Sequence, residues 1–141
     1  MIGYCTNVHA GADLETTLRN LEQHALEVKR QVSPTAPLGI GLWLSASAAR
    51  QLRAEHGVSR LADWLAEAGL VPFTLNGFPY GDFHRPVVKY DVYRPTWRER
   101  DRVEYTLELI DILDELLPAG VPGTISTLPL EWGTPHRLPV G

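Results

Sequence analysis

Residues 38–44 read Leu-Gly-Ile-Gly-Leu-Trp-Leu, with the polar Ser45-Ala46-Ser47 directly behind them. A short, nearly continuous apolar run without alternation is what a parallel strand covered on both faces requires. Gly39 and Gly41 lower its strand propensity but permit close approach of another chain segment or a ligand. The serine-rich turn then opens a short helix around Ala49 and Leu52 that closes near Gly57. A strand that feeds a helix directly is half of a β-α-β unit, and the rest of the chain repeats it.

On the N-terminal side, residues 2–8 form the first candidate strand. Leu14, Leu18, Leu21, Ala25, Val28 and Val32 follow at helical spacing, with Asp13 placed to cap the first turn and Pro34 and Pro37 to stop the helix. On the C-terminal side, Ser59 caps a helix with Leu61, Trp64, Leu65 and Ala68 buried, and Gly69 ends it. Residues 71–75 form a third strand. A 19-residue stretch, Asn76 to Arg94, then interrupts the rhythm and carries Phe78, Tyr80, Phe83, Tyr90 and Tyr93. That is too aromatic for a disordered linker and long enough to suggest binding. Thr96-Trp97-Arg98-Glu99 reads as a capping box, and the helix behind it is expected to turn Val103, Leu107, Ile110, Leu113 and Leu117 inward. Residues 123–128 are the fourth strand.

Four β-α units predict an α/β fold with a parallel sheet and right-handed crossovers. They fit either a small open doubly wound sheet or the first half of an eight-stranded barrel, one domain over residues 1–141. The turn Asn7–Asp13 lacks G-x-G-x-x-G, and no phosphate-binding G-x-x-x-x-G-K-[ST] occurs, which weighs against a dinucleotide-binding sheet. Residues 129–141 offer no helix to cover strand four. The expectation is a chain that continues into a second half or pairs with another copy, because bare sheet edges invite aggregation.

Composition narrows the partners. Thirteen Lys and Arg against 17 Asp and Glu give a net charge of -4, contrary to the clustered cations that nucleic-acid binding needs. A single cysteine excludes an internal disulfide, and no apolar run approaches the roughly 20 residues of a membrane span. The opening Met1-Ile2-Gly3-Tyr4 has no secretion signal, so a cytoplasmic protein is expected.

Residues 3–9 (GYCTNVH), 41–45 (GLWLS), 73–84 (FTLNGFPYGDFH), Val88-Lys89, Val92-Tyr93-Arg94-Pro95 and 126–130 (STLPL) resemble the N-terminal half of the metabolite traffic protein EboE family. The resemblance covers essentially the whole chain, and N-G-F-P-Y-G-x-F-H is its most specific block. It implies a xylose isomerase-like TIM barrel, shared with sugar isomerases, epimerases and the endonuclease IV group. The family's chains are much longer, which implies truncation here. Functionally the resemblance implies handling of a small metabolite. It also implies a divalent metal (Zn, Mn or Mg), if one is bound, held mainly by residues beyond Gly141.

In a β/α barrel the working residues sit at the carboxyl ends of the strands. His9 fits a general base, a metal ligand or a hydrogen-bonding group, or merely a turn cap. His84 is the second catalytic candidate. His9, Asp82 and His84 supply three metal ligands if the aromatic loop folds back over strand one, the minimum for a zinc centre. Asn7, Asn76 and Ser126 are candidates for orienting substrate hydroxyls. Trp43 and Tyr80 are candidates for an apolar wall, against core packing as the alternative, and Lys89 for anchoring an anion. Cys5 reads as a small buried hydrophobe, and His24, His56 and His136 as surface residues. Two enzymatic alternatives remain open: a metal-dependent sugar or sugar-phosphate isomerase or epimerase, and a zinc-dependent phosphodiesterase.

Overall fold

The computed structural model describes residues 3–130, apart from the Glu55 side chain. Four strands, β1 (Gly3–Cys5), β2 (Leu38–Leu42), β3 (Leu70–Asn76) and β4 (Thr124–Ser126), form one parallel sheet in the order β1-β2-β3-β4. Between them lie α1 (Leu14–Asn20) and α2 (Leu26–Val32), α3 (Ala46–Arg53) and α4 (Gly57–Glu67), then α5 (Arg100–Leu116). Strand order follows chain order without a reversal. Crossovers of one hand that always advance in one direction put every helix on the same side of the sheet. None of the described helices is long and apolar enough to cross a membrane.

Burial separates the two faces. Tyr4, Leu38, Ile40, Leu42, Leu70, Leu75 and Ile125 pack with the helices in a single core. Gly3, Cys5, Thr124 and Ser126 are exposed on the other face. The pairing shifts between Ile40 and Gly41, so Phe73 is an extra residue in β3. This bulge puts Phe73 and Thr74 on the open side together. The Phe73 ring reaches across glycine-bearing β2 to Gly3, where an added Cβ would stand 3.2 Å from it. Pro72, which has no N–H to give a ladder, sits where β4 does not pair, since β4 meets only Thr74–Asn76.

Many local expectations hold and several need correction: β1 ends at Cys5, with Thr6–Val8 in a 3-10 turn, and α4 starts at Gly57, two residues before the expected Ser59 cap, whose hydroxyl instead donates to the His56 carbonyl at 3.0 Å. Asp13 caps α1, accepting from the Thr16 amide at 2.8 Å, and Ser45 caps α3, accepting from the Ala48 amide at 3.1 Å. Between α1 and α2 the helix widens to π geometry over Leu21–Ala25, so the single predicted helix carries a bulge. Only half of the expected capping box forms. The Glu99 carboxylate accepts from the Thr96 amide at 2.7 Å, but the Thr96 hydroxyl serves the Arg98 amide and the helix starts at Arg100. The inner face of α5 is also different. Arg102, Tyr105, Leu109, Ile112, Leu113 and Leu116 are buried, whereas Val103, Leu107 and Ile110 are exposed by 40%, 55% and 47%. Two apolar stripes compete on this helix, and packing against β3 selected the one that carries Arg102 and Tyr105.

The first predicted strand extends to Ile2, and the tail with Trp132, Pro135 and His136 follows Leu130; these positions lie outside the described residues.

Candidate functional site

The carboxyl ends of all four strands border one recess of about 290 Å³ on the open face, lined by Cys5, Asn7, Gly41, Leu42, Thr74, Asn76 and Ser126. Its polar groups are partly spent and partly free. The Ser126 hydroxyl donates to Asn76 Oδ1 at 2.9 Å, and the Phe78 amide donates to the same oxygen at 3.2 Å. Both N–H groups of the Asn76 amide are thereby left without a partner among the described residues. The Asn7 side chain makes no hydrogen bond among them either. Thr124 and Thr74 hydroxyls bond to each other at 2.9 Å beside the recess. A Cβ on Gly41 would stand 2.8 Å from Cys5 Sγ and 3.0 Å from Thr74 Cγ2, so its glycine lets two neighbouring side chains close in across β2. No residue of the lining carries a formal charge. Such a surface offers donors and acceptors to a neutral polar ligand and no counter-charge to an anion.

His9, His24 and His84 are absent from the lining of this recess. His9 Nε2 shares a hydrogen bond with the Tyr4 hydroxyl, and the His9 ring stacks on His24 with centroids 3.9 Å apart and planes 9° from parallel. The aromatic loop does return over the strand ends. His84 lies against Phe83 and Trp43, at 4.1 and 5.8 Å between centroids. Burial lowers the His9 pKa from its ordinary 6.5, and the nearby His24 and His84 lower it further. The unfolded chain therefore takes up the proton first. Stability linked to His9 is complete above pH 6.5 and is lost as pH falls below it toward the folded value. Thermal melts from pH 7.5 to 5 are expected to drop more steeply for the wild type than for His9→Gln. An NMR titration placing the His9 pKa at or above 6.5 contradicts this.

Of the sequence candidates, the structure brings Asn7, Asn76 and Ser126 to one recess; His9 and His84 are not in its lining but lie near enough to each other to interact electrostatically. Trp43 and Tyr80 are not its wall. Trp43 is 2% exposed, covered edge-on by Phe83, and its indole N–H donates to the Pro79 carbonyl at 3.1 Å. The Tyr80 ring packs 5.1 Å from Tyr105, and its hydroxyl accepts from Arg50 at 2.9 Å. Lys89 is exposed on a separate turn with a φ of 42° and lies outside the recess lining. Among the described residues no three His, Cys, Asp or Glu side chains are placed to hold a metal ion. His9, Asp82 and His84 do not form such a group; His9 Nε2 shares a hydrogen bond with the Tyr4 hydroxyl, and Asp82 Oδ1 accepts from the His84 amide at 2.9 Å.

Two contributors escaped the sequence reading. Cys5 is exposed in the recess instead of buried, because the face it occupies has no helix layer. His24 is a ring partner of His9 instead of a surface residue; its spacing of three from buried Leu21 was the available signal. Compared with family models, with curated proteins and with solved structures, the chain matches none.

Proposed function

We propose that the chain is one half of a xylose isomerase-like β/α barrel, in a metabolite-handling protein of the EboE kind, whose recess captures a small neutral polyhydroxylated molecule. The observation that carries this reading is the meeting of Asn7, Asn76 and Ser126 at the carboxyl ends of three of the four parallel strands, β1, β3 and β4. The winding supports the barrel half of the reading. Chain-order strands with helices on one side are how a barrel is wound, whereas a doubly wound sheet reverses its order at a switch point. The open face is then the side a barrel turns inward.

The unspent amide donors of Asn7 and Asn76, with the acceptor lone pairs of Ser126, support a hydroxyl-rich ligand, since each hydroxyl gives one hydrogen bond and takes two. The uncharged lining supports capture of a neutral sugar or polyol over a sugar phosphate. It holds no imidazole or carboxylate among the described residues, so the reading is one of binding.

The test is an NMR titration of the 141-residue chain with D-xylose, myo-inositol and, as the charged counterpart, D-ribose 5-phosphate. Shifts of the Asn7 and Asn76 side-chain amide signals are expected with a neutral probe. Asn7→Ala removes a group that holds nothing else in place and should weaken binding by about five- to tenfold, the worth of one hydrogen bond. Preference for the phosphate, or perturbations confined to the histidine cluster, contradicts the reading.

A further inference from the structure

A second cavity, of about 280 Å³, opens in the helical layer and shares no lining residue with the recess. Its apolar part is made by Leu14 and Leu18 of α1, Leu52 of α3, and Leu61 and Trp64 of α4. Leu52 and Leu61 are buried, whereas Leu14, Leu18 and Trp64 are only half-buried, so apolar surface is left open to water there. Two charged side chains also line it. Glu22 stands one turn beyond Leu18 in the same row, and Arg60 adjoins Leu61 one turn before Trp64. Glu22 belongs to the π-widened turn Leu21–Ala25, a distortion of helices that concentrates at functional sites. Neither charge has an ion-pair or hydrogen-bond partner among the described residues, and Arg60 leaves Asp63, one turn on, unpaired. Neighbouring charges are spent: Arg19 pairs with Glu15 at 2.6 Å, and Arg53 with Asp111 at 2.7 Å. An unspent anion and an unspent cation at one apolar cavity are complementary to a ligand with both charges on an apolar body.

We propose that this cavity binds a free α-amino acid with a hydrophobic side chain. Arg60 receives the carboxylate and Glu22 the ammonium, while the side chain packs among the leucines and against Trp64. The volume lies near the lower end of the roughly 300–1,000 Å³ of small-molecule pockets, so one such molecule fills it. An aryl or fatty acid leaves Glu22 unanswered, and an amine leaves Arg60 unanswered. An internal residue of a peptide carries neither charge. Both charged side chains are exposed, so solvent screens their contribution and the dissociation constant is expected at about 0.1–1 mM. The inference does not depend on what the recess binds.

An NMR titration of the full chain with L-phenylalanine, to about 10 mM, tests it through the indole N–H signal of Trp64. A saturable shift of that signal is expected. The single-charge analogues 3-phenylpropionate and 2-phenylethylamine should each bind about threefold more weakly, the scale of one exposed ion pair, and glycine, a zwitterion without an apolar body, should leave the signal unmoved. Arg60→Gln should weaken L-phenylalanine about threefold and leave 2-phenylethylamine unchanged; Glu22→Gln should weaken it equally and leave 3-phenylpropionate unchanged. Circular dichroism verifies that each variant is folded, and one that is not is replaced by Arg60→Ala or Glu22→Ala with the same expectation. An unmoved Trp64 signal overturns the proposal, as does 3-phenylpropionate binding as tightly as L-phenylalanine or indifference to either substitution. The Asn7 and Asn76 amide signals report the recess separately, so either site can fail without the other.

Discussion

Replacing Arg102 with alanine is expected to destabilise the protein by about 3–5 kcal/mol, a large share of the 5–15 kcal/mol that holds a typical domain folded. Arg102 has no exposed surface, and burial lowers its pKa from the ordinary guanidinium value. Its partners are carbonyl groups rather than a carboxylate. Nε donates to Pro95 at 2.9 Å, and the two terminal nitrogens donate to Gly77 at 2.8 Å and Phe78 at 3.2 Å. Tyr105 and Tyr80 lie 5.5 and 5.8 Å from the guanidinium, within cation–π range. The residue therefore fastens both ends of the aromatic excursion: the exit from β3, directly after Asn76, and the approach to α5. Alanine leaves three carbonyl oxygens without their donor, the buried one of Gly77 at about 1–3 kcal/mol before relaxation and the part-buried ones of Pro95 and Phe78 at less. Arg102→Lys keeps the charge but not the planar fork, so it should recover only part of the loss. Urea unfolding measures both variants, and hydrogen exchange over residues 77–99 should accelerate in step. Arg100→Ala, which removes an exposed ion pair with Glu104, is the contrast and should change stability by less than about 1 kcal/mol. A loss below 1 kcal/mol for Arg102→Ala contradicts the assignment.

No sequence rule points to Arg102. It lies in a run of mixed charge, Arg94 to Glu104, which reads as a solvated helix face. The neighbouring Val103, Leu107 and Ile110 make a cleaner apolar stripe than the one the fold uses. What decides between the two stripes is the set of carbonyls at Gly77, Phe78 and Pro95, and their position is known only once the loop is folded. The strands were legible for the opposite reason: their apolar runs and flanking turn residues are local, and the register between them follows from which residues must be buried. For the recess, Asn7, Asn76 and Ser126 were legible because each is a polar residue at the end of an apolar run. Trp43 misled, since an aromatic residue at a strand end lines a cavity or plugs it depending on the fold of Phe83 forty residues away. Cys5 and His24 were misread because pattern alone does not say which face of a sheet remains bare or which ring stands opposite.

Gly57→Ala is expected to cost about 2–4 kcal/mol, although its backbone angles, φ -62° and ψ -34°, are those of an ordinary helix. By propensity alone the substitution should gain up to about 1 kcal/mol, because alanine loses less entropy than glycine on entering a helix. Space reverses the sign. A Cβ at Gly57 would stand 2.2 Å from the Leu52 carbonyl oxygen and 3.1 Å from its carbon. These are backbone atoms of a residue buried at 2%, so no side-chain rotation relieves the contact. The start of α4 would have to move away from the end of α3, and α4 runs directly into β3, whose last residue is Asn76 in the recess. The residue before it behaves the opposite way. His56 occupies the left-handed region at φ 58°, where a side chain is strained and glycine is not, so His56→Gly should gain about 0.5–1 kcal/mol. A sequence reading that takes Gly57 as the helix-ending glycine assigns the left-handed turn to the wrong member of the pair. Opposite signs at adjacent positions, measured by urea unfolding, separate close approach from backbone conformation as the reason for this glycine. An alanine variant at 57 as stable as the wild type would mean that α3 and α4 are free to part at their junction.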